Sequence, residues 1–205
     1  EEIDDHLESN WKPRIRKGWF SASALGKTDD ELIAEYRGEA QDAPPAKLLR
    51  VFSVGNDRDH TYKGWLKAMG LSVVGGAKDR RIKIPHLRLQ GECDDVLRGP
   101  NGFVVYEGKT MNAYSFNKLD EPLAHHVQQV HVYMAGLALG HAGAIISYEC
   151  KNTQALRMFW IDWDTALWGG IAARLRRLRA LAERPAEDTD NRLQAAAESD
   201  EGGKP

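Results

Sequence analysis

The sequence predicts an α/β (α+β) fold, a mixed central β-sheet flanked by helices. Three observations predict it. Short apolar stretches, one with period-two alternation, cluster between residues 71 and 109. A strongly amphipathic helical pattern follows, carried by Leu123, Val127, Val130, Met134 and Leu137. Two more apolar strands then precede a last helix. Helices first, then a block of strands, then a helix and further strands, is the order in which helices cover a sheet of mixed direction.

Residues 1–17 are polar and read as irregular. The run Ser21-Ala22-Ser23-Ala24-Leu25-Gly26 leads into Asp29-Asp30-Glu31, which has the acidic start of a capped helix. Leu32, Ile33 and Tyr36 supply its apolar face. Residues 42–45 form a loop. Residues 46–69 predict one or two helices, with Gly55-Asn56 in between and Gly70 as a stop. Residues 71–74 predict a short strand broken by Gly75-Gly76, and residues 82–89 alternate as a half-buried strand does. Residues 91–97 and 103–109 predict two more strands around a turn at 98–102. A loop over 112–121, the amphipathic helix, strands at 144–148 and 157–162, and a helix over 165–184 complete the pattern. The last helix shows Leu167, Ile171, Leu175, Leu178 and Leu181 at helical spacing.

The chain has 205 residues, enough for one domain with a real core, expected over residues 1–182. From 183 to 205 seven acids face three bases, and this acidic tail reads as disordered. The tail's −4 against −2 for the chain leaves +2 on the body. Three basic clusters stand out: Lys12, Arg14, Arg16 and Lys17; Lys78, Arg80, Arg81 and Lys83; and Arg174, Arg176, Arg177 and Arg179. Each is either a solvated face or part of a phosphate-binding surface. No apolar run reaches membrane-spanning length and no signal-peptide pattern opens the sequence. Two isolated cysteines exclude a disulfide framework, so a reducing, cytoplasmic setting is expected.

The chemistry concentrates between residues 91 and 133. Val105, Glu107 and Lys109 lie two apart and share one strand face. A carboxylate and an ammonium on a buried face must be paired or bound to something charged. Asp94 lies on the preceding strand, and two carboxylates on neighbouring strand ends can share a hard divalent cation. Such a cation polarises a phosphoryl oxygen and activates a water, with Lys109 holding that water. The bland alternative is a Glu–Lys pair on an exposed sheet face. Adjacent strand residues face opposite ways, so only one of Asp94 and Asp95 can join Glu107. Gln129 and Tyr133 are one helical turn apart, offset from the apolar stripe, on a face that is either solvated or turned to substrate. His125 and His126 extend that side. Neither Gly108-Lys109-Thr110 nor Gly26-Lys27-Thr28 completes a P-loop, because Phe103 and Ser21 stand where its first glycine must be. No HExxH zinc signature is present.

Taken together, Ser21 to Gly26, Gly55 to His60, Gly91-Glu92-Cys93-Asp94, Glu107-Gly108-Lys109, Gln129-x-x-x-Tyr133 and Tyr148 to Thr153 resemble the PD-(D/E)XK nuclease superfamily. The closer resemblance is to its RecB-type branch, which includes phage exonucleases and CRISPR-associated iron–sulfur nucleases. It spans residues 21–164 and implies a restriction-endonuclease-like core. By that resemblance Asp94, Glu107 and the Gly108 carbonyl are metal ligands, His60 is a nitrogen donor and Lys109 the catalytic lysine. Gln129 and Tyr133 orient the lysine or DNA phosphates, and Ser21, Ser23 and Lys151 contact DNA. The GxxD register favours Asp94 over Asp95. The resemblance implies a Mg2+- or Mn2+-dependent deoxyribonuclease, expected to be an exonuclease with its polarity left open, acting in recombination, repair or phage DNA processing.

 It also implies products with a 5′-phosphate and a 3′-hydroxyl. An iron–sulfur cluster is not expected, since the members that hold one need four cysteines. DNA is the expected partner, with a recombination protein or helicase as a possible second, no membrane, and the oligomeric state left open. The alternative is a non-catalytic DNA-binding or assembly module on the same fold.

Overall fold

The structure is a computed structural model that describes residues 2–12, 16–39, 42–74, 76–99, 102–139 and 142–184. In chain order the elements are α1 (Glu2–Asn10), β1 (Phe20–Ser21), α2 (Asp29–Arg37), α3 (Ala46–Ala68), α4 (Ala77–Arg80), β2 (Arg81–Ile84), β3 (Leu89–Glu92), β4 (Asp95–Gly99), β5 (Gly102–Met111), α5 (Ala113–Asn117), α6 (Ala124–Gly136), β6 (Ala144–Cys150), β7 (Leu156–Ile161) and α7 (Thr165–Ala182). The strands form two mixed sheets rather than one. The smaller runs β1-β3-β2, with β1 parallel and β2 antiparallel to β3. The larger runs β4-β5-β6-β7, with β5 and β6 parallel and the outer pairs antiparallel.

The expected strand over 91–97 is cut where the chain passes from one sheet to the other. Cys93 is buried, and its N–H donates to the Arg80 carbonyl. The Asp94 carboxylate accepts from the Gly108 N–H at 2.7 Å. Those bonds replace ladder pairing at the crossing.

Other expectations change for local reasons. Residues 2–10, expected to be irregular, form α1, which packs on α3; the Glu8 carboxylate accepts from the Ala46 N–H at 2.6 Å. α3 is one helix that runs straight through Gly55. The expected strand at 71–74 is reduced to a single bridge, Ser72 to Leu97. The alternation over 82–89 is interrupted at Pro85, and a tight turn through Arg88 (φ 51°) folds it into the β2–β3 hairpin. The loop at 112–121 contains α5, whose first turn is capped by Asn112 accepting from the Ser115 N–H.

The expected start of α2 is present as a capping box between Thr28 and Glu31. Asp29 then receives Arg174 at 2.8 Å and Arg177 at 2.5 Å from α7. Half of the third basic cluster is therefore committed to holding α2 against α7. Glu183, at the end of α7, accepts from the Tyr36 hydroxyl at 2.5 Å. The rest of the acidic tail, 185–205, lies outside the described residues.

α6 is the centre of the core. Val130, Val132 and Met134 are fully buried, against Ala144, Ile146 and Tyr148 of β6 and Leu175 and Leu178 of α7. His131 is also buried among them. Its Nε2 accepts from the Asp164 N–H at 3.0 Å, so Nδ1 carries the proton and donates to the Val127 carbonyl at 2.8 Å. Among the described residues no helix is long and apolar enough to cross a membrane.

The end of α6 crosses β2 closely. A Cβ placed on Gly136 would stand 2.6 Å from the Ile82 Cβ. Alanine favours a helix over glycine by about 1 kcal/mol, yet this contact reverses the sign. Gly136→Ala is expected to lower stability by about 1–3 kcal/mol in denaturant titration. A variant at least as stable as wild type would show that β2 gives way freely.

Candidate metal centre

β5 is flanked on both sides by other strands, so its middle residues are withdrawn from water. Glu107 sits there at 2% exposure. Its Oε1 accepts from Lys109 Nζ at 2.6 Å and from Gln129 Nε2 at 2.8 Å. Its Oε2 is buried and has no hydrogen-bond partner. Burial pushes the Glu107 carboxyl above its ordinary range, against the pull of Lys109. Gln129 also donates to the Tyr133 hydroxyl at 2.7 Å.

Asp94 completes the pair from the crossing between the sheets. Its Oδ2 is held by the Gly108 N–H, and its Oδ1 lies 4.0 Å from Lys63 Nζ. Burial, and then the negative charges of Glu107 and Asp59, push the Asp94 carboxyl up to about 8. A buried carboxylate with one oxygen bare, beside a half-buried one that its charge raises, makes a site in need of positive charge. A hard divalent cation fits this oxygen-rich donor set.

Asp94, Gly108, Lys109 and Lys151 line one cleft of about 500 Å³, floored by the larger sheet and walled by α3. Asp95 is turned away. Its Oδ1 accepts from Ser72 Oγ at 2.8 Å, which anchors the bridge at Ser72 instead.

His60 is not brought to the cleft. It is exposed on α3, whereas its neighbour Asp59 lines the wall. Adjacent helical residues point about 100° apart, so only one can face the cleft. Asp59 is held by Lys63 at 2.5 Å, and Lys63 thereby spans Asp59 and Asp94. Among the described residues no three His, Cys, Asp or Glu side chains stand at ligand spacing. The carboxylates that this geometry offers a cation are thus Asp94 and Glu107.

Gln129 and Tyr133 do not lie on a solvated face. Both are buried, because α6 is covered on the side away from its apolar stripe as well. Ser21 and Ser23 line an adjoining hollow, where Arg16 donates to Ser21 Oγ at 2.5 Å. That hollow shares Phe52 and Asn56 with the main cleft.

Sequence reading assigned no role to Asp59, Lys63, Arg58 or Glu149. Arg58 Nε donates to both oxygens of buried Glu149, at 2.9 and 3.0 Å, and so ties α3 to β6. The Asp59–Lys63 spacing of four residues on a helix was the one available signal.

His126 lies beside this site without joining it. The Tyr148 hydroxyl accepts from the Leu123 N–H at 3.0 Å and meets His126 Nδ1 at 2.8 Å. That geometry makes Tyr148 the donor to an unprotonated Nδ1. Burial, with Lys109 and His125 nearby, holds the imidazole down to about 3.

The unfolded chain protonates His126 near 6.5 and the folded chain only near 3, so its contribution to stability is whole above 6.5 and drains as pH falls between these values. In thermal melts, the loss of stability between about pH 7.5 and about pH 5 is expected to shrink in His126→Asn. An unchanged pH dependence would mean that other groups carry it.

Glu107→Gln keeps an acceptor for Lys109 and Gln129 while removing the buried charge. In EDTA it is expected to melt no lower than wild type, and to lose the upward shift that Mn2+ gives wild type. A retained Mn2+ shift would remove Glu107 from the metal centre.

The chain matches no protein-family model, and no curated protein matches it. Its fold is shared with solved structures. An alkaline exonuclease from Laribacter hongkongensis, LHK-Exo, is 17% identical and superposes with a TM-score of 0.58, over 94% of this chain and 98% of that one. LHK-Exo in complex with dAMP gives 18% identity and a TM-score of 0.59, over 96% and 98%. The protein SSO0001 gives 19% and 0.50, over 89% and 83%. The chain therefore has the nuclease-like α/β fold of these neighbours.

Proposed function

We propose that this chain is a divalent-metal-dependent deoxyribonuclease that hydrolyses phosphodiester bonds, and more narrowly an exonuclease of the PD-(D/E)XK kind. The observation that carries the reading is the bare Oε2 of buried Glu107 beside Asp94 and Lys109. An unsatisfied buried carboxylate is costly to the fold and persists where function uses it. LHK-Exo is named an alkaline exonuclease and one of its structures holds dAMP, which supports DNA as the substrate class.

Asp94, Glu107 and the Gly108 carbonyl would hold the cation, Mg2+ or Mn2+. When bound, it supplies Lewis acidity toward a phosphoryl oxygen and lowers the pKa of a coordinated water. Lys109, tethered to Glu107, orients the attacking water and offsets the charge that grows on the phosphorus oxygens. Gln129 fixes the Glu107 carboxylate from the opposite side, and Tyr133 fixes Gln129. These two are positioning residues, buried behind the reacting atoms. Lys151, Ser21 and Ser23 offer contacts to phosphates along the cleft and the adjoining hollow. The RecB-type signature suggests work at DNA ends in recombination or repair. His60 has no part in this reading.

End-labelled DNA incubated with Mg2+ or Mn2+ is expected to be degraded, and EDTA to stop it. Glu107→Ala and Lys109→Ala are each expected to lower kcat by about 100-fold or more, with DNA affinity kept. Intact DNA with wild type under every metal, together with retained binding, would sink the nuclease and favour a non-catalytic DNA-binding module.

A further inference from the structure

We infer that the outer face of the smaller sheet, centred on Lys83 and Arg88 around Trp19, docks the sugar–phosphate backbone of the substrate strand away from the cleavage position. This rests on the deoxyribonuclease reading above.

The register of the sheet builds the face. Phe20, Leu89 and Ile84 pair across the three strands and are buried. The next row, Ser21, Gln90 and Lys83, therefore points outward. Lys83 Nζ lies 4.4 Å from the centre of the Trp19 ring, and the Arg88 guanidinium 5.6 Å from it. The turn through Arg88, with its positive φ, brings this second cation back to the ring.

These cations differ from their neighbours. Arg80 and Arg81 both pair with Glu92. Lys83 and Arg88 have no ion-pair partner among the described residues. Glu183 senses the charge of Arg88, but its carboxylate is taken by Tyr36 and Arg179. Two cations gathered on one ring, each lacking a carboxylate, are arranged for an outside anion.

The face is continuous with the metal centre. The cleft shares Phe52 and Asn56 with the hollow around Ser21 and Trp19. That hollow shares Arg16 with a third, lined by Arg81, Lys83 and Gln90. The resulting trough is acidic at the Asp94 end and cationic at the Lys83 end. Gln90 and Asp94 are four residues apart across the bend between the sheets, a span of at most about 13 Å. A stacked strand covers that in about four nucleotides. A trinucleotide held at the metal centre is expected to engage Lys83 less than a longer strand does. Since both cations already lie over the Trp19 ring, the face presents charge rather than a stacking surface. It holds phosphates and reads no sequence.

The test is equilibrium binding of labelled single-stranded DNA in EDTA, so that no cleavage is needed. Lys83→Glu with Arg88→Glu is compared with wild type on a trinucleotide and on a long oligonucleotide, after melting temperatures are matched. Lys83→Gln with Arg88→Gln serves if the reversal disturbs folding. The long strand is expected to bind about tenfold more weakly to the double variant, with a salt slope shallower by about 1.4, the value for two lost phosphate contacts. Trinucleotide affinity is expected to stay unchanged, and Lys83→Arg with Arg88→Lys to keep the long-strand affinity. Unchanged long-strand affinity and slope, or an equal loss on both lengths, would overturn the docking face. A protein that binds in this pattern yet never cleaves would sink the nuclease reading and leave this face standing.

Discussion

Glu107 stands on the central strand with one oxygen accepting two hydrogen bonds and the other bare, and much of the surrounding structure follows from keeping it so. A carboxylate taken out of water is tolerated only if its neighbours supply positive charge or donors. Lys109 supplies the charge from the same strand, and Gln129 the donor from α6. α6 must then press against β5, and it is buried on two sides as a result. Tyr133 takes the second N–H of Gln129, so both amide hydrogens are used inside the core.

Asp94 is placed by a different constraint. The chain has to leave the smaller sheet after Glu92 and join the larger one at Asp95. At that crossing the backbone loses its ladder partners. The Gly108 N–H compensates by donating to the Asp94 side chain, which draws a second carboxylate to the end of β5. The seam between the sheets and the candidate metal centre are thus one feature. The cleft wall is less firmly set. α3 buries only Ala46 and Leu66, and polar ties at Arg58–Glu149 and Lys63–Asp94 hold its middle over the sheet.

The charge of the surface divides along the same lines. Arg174 and Arg177 share Asp29, and Arg80 and Arg81 share Glu92. Cluster membership in the sequence does not separate these from Lys83, because the acids that neutralise them lie on other elements. Pairing, not clustering, decides which cations remain for an anion.

Local chemistry alone determined several features. Apolar periodicity marked α6, α7 and the strands β5, β6 and β7, since each pattern is set by which side of an element meets the core. The Thr28–Glu31 spacing marked the start of α2. The two-residue step from Glu107 to Lys109 put them within reach on one strand, a consequence of backbone geometry. What the tertiary structure decided are relations between distant segments. It separated Asp94 from Asp95 through the Gly108 and Ser72 bonds. It turned Asp59 rather than His60 to the cleft through the rotation of α3, and it buried Gln129 and Tyr133 on a helix whose own pattern allowed a solvated face. It divided one expected sheet into two at Cys93. Each of these depends on a partner far away in the chain, and a hydrogen bond or a rotation about a helix axis leaves no periodic trace in the residues that take part.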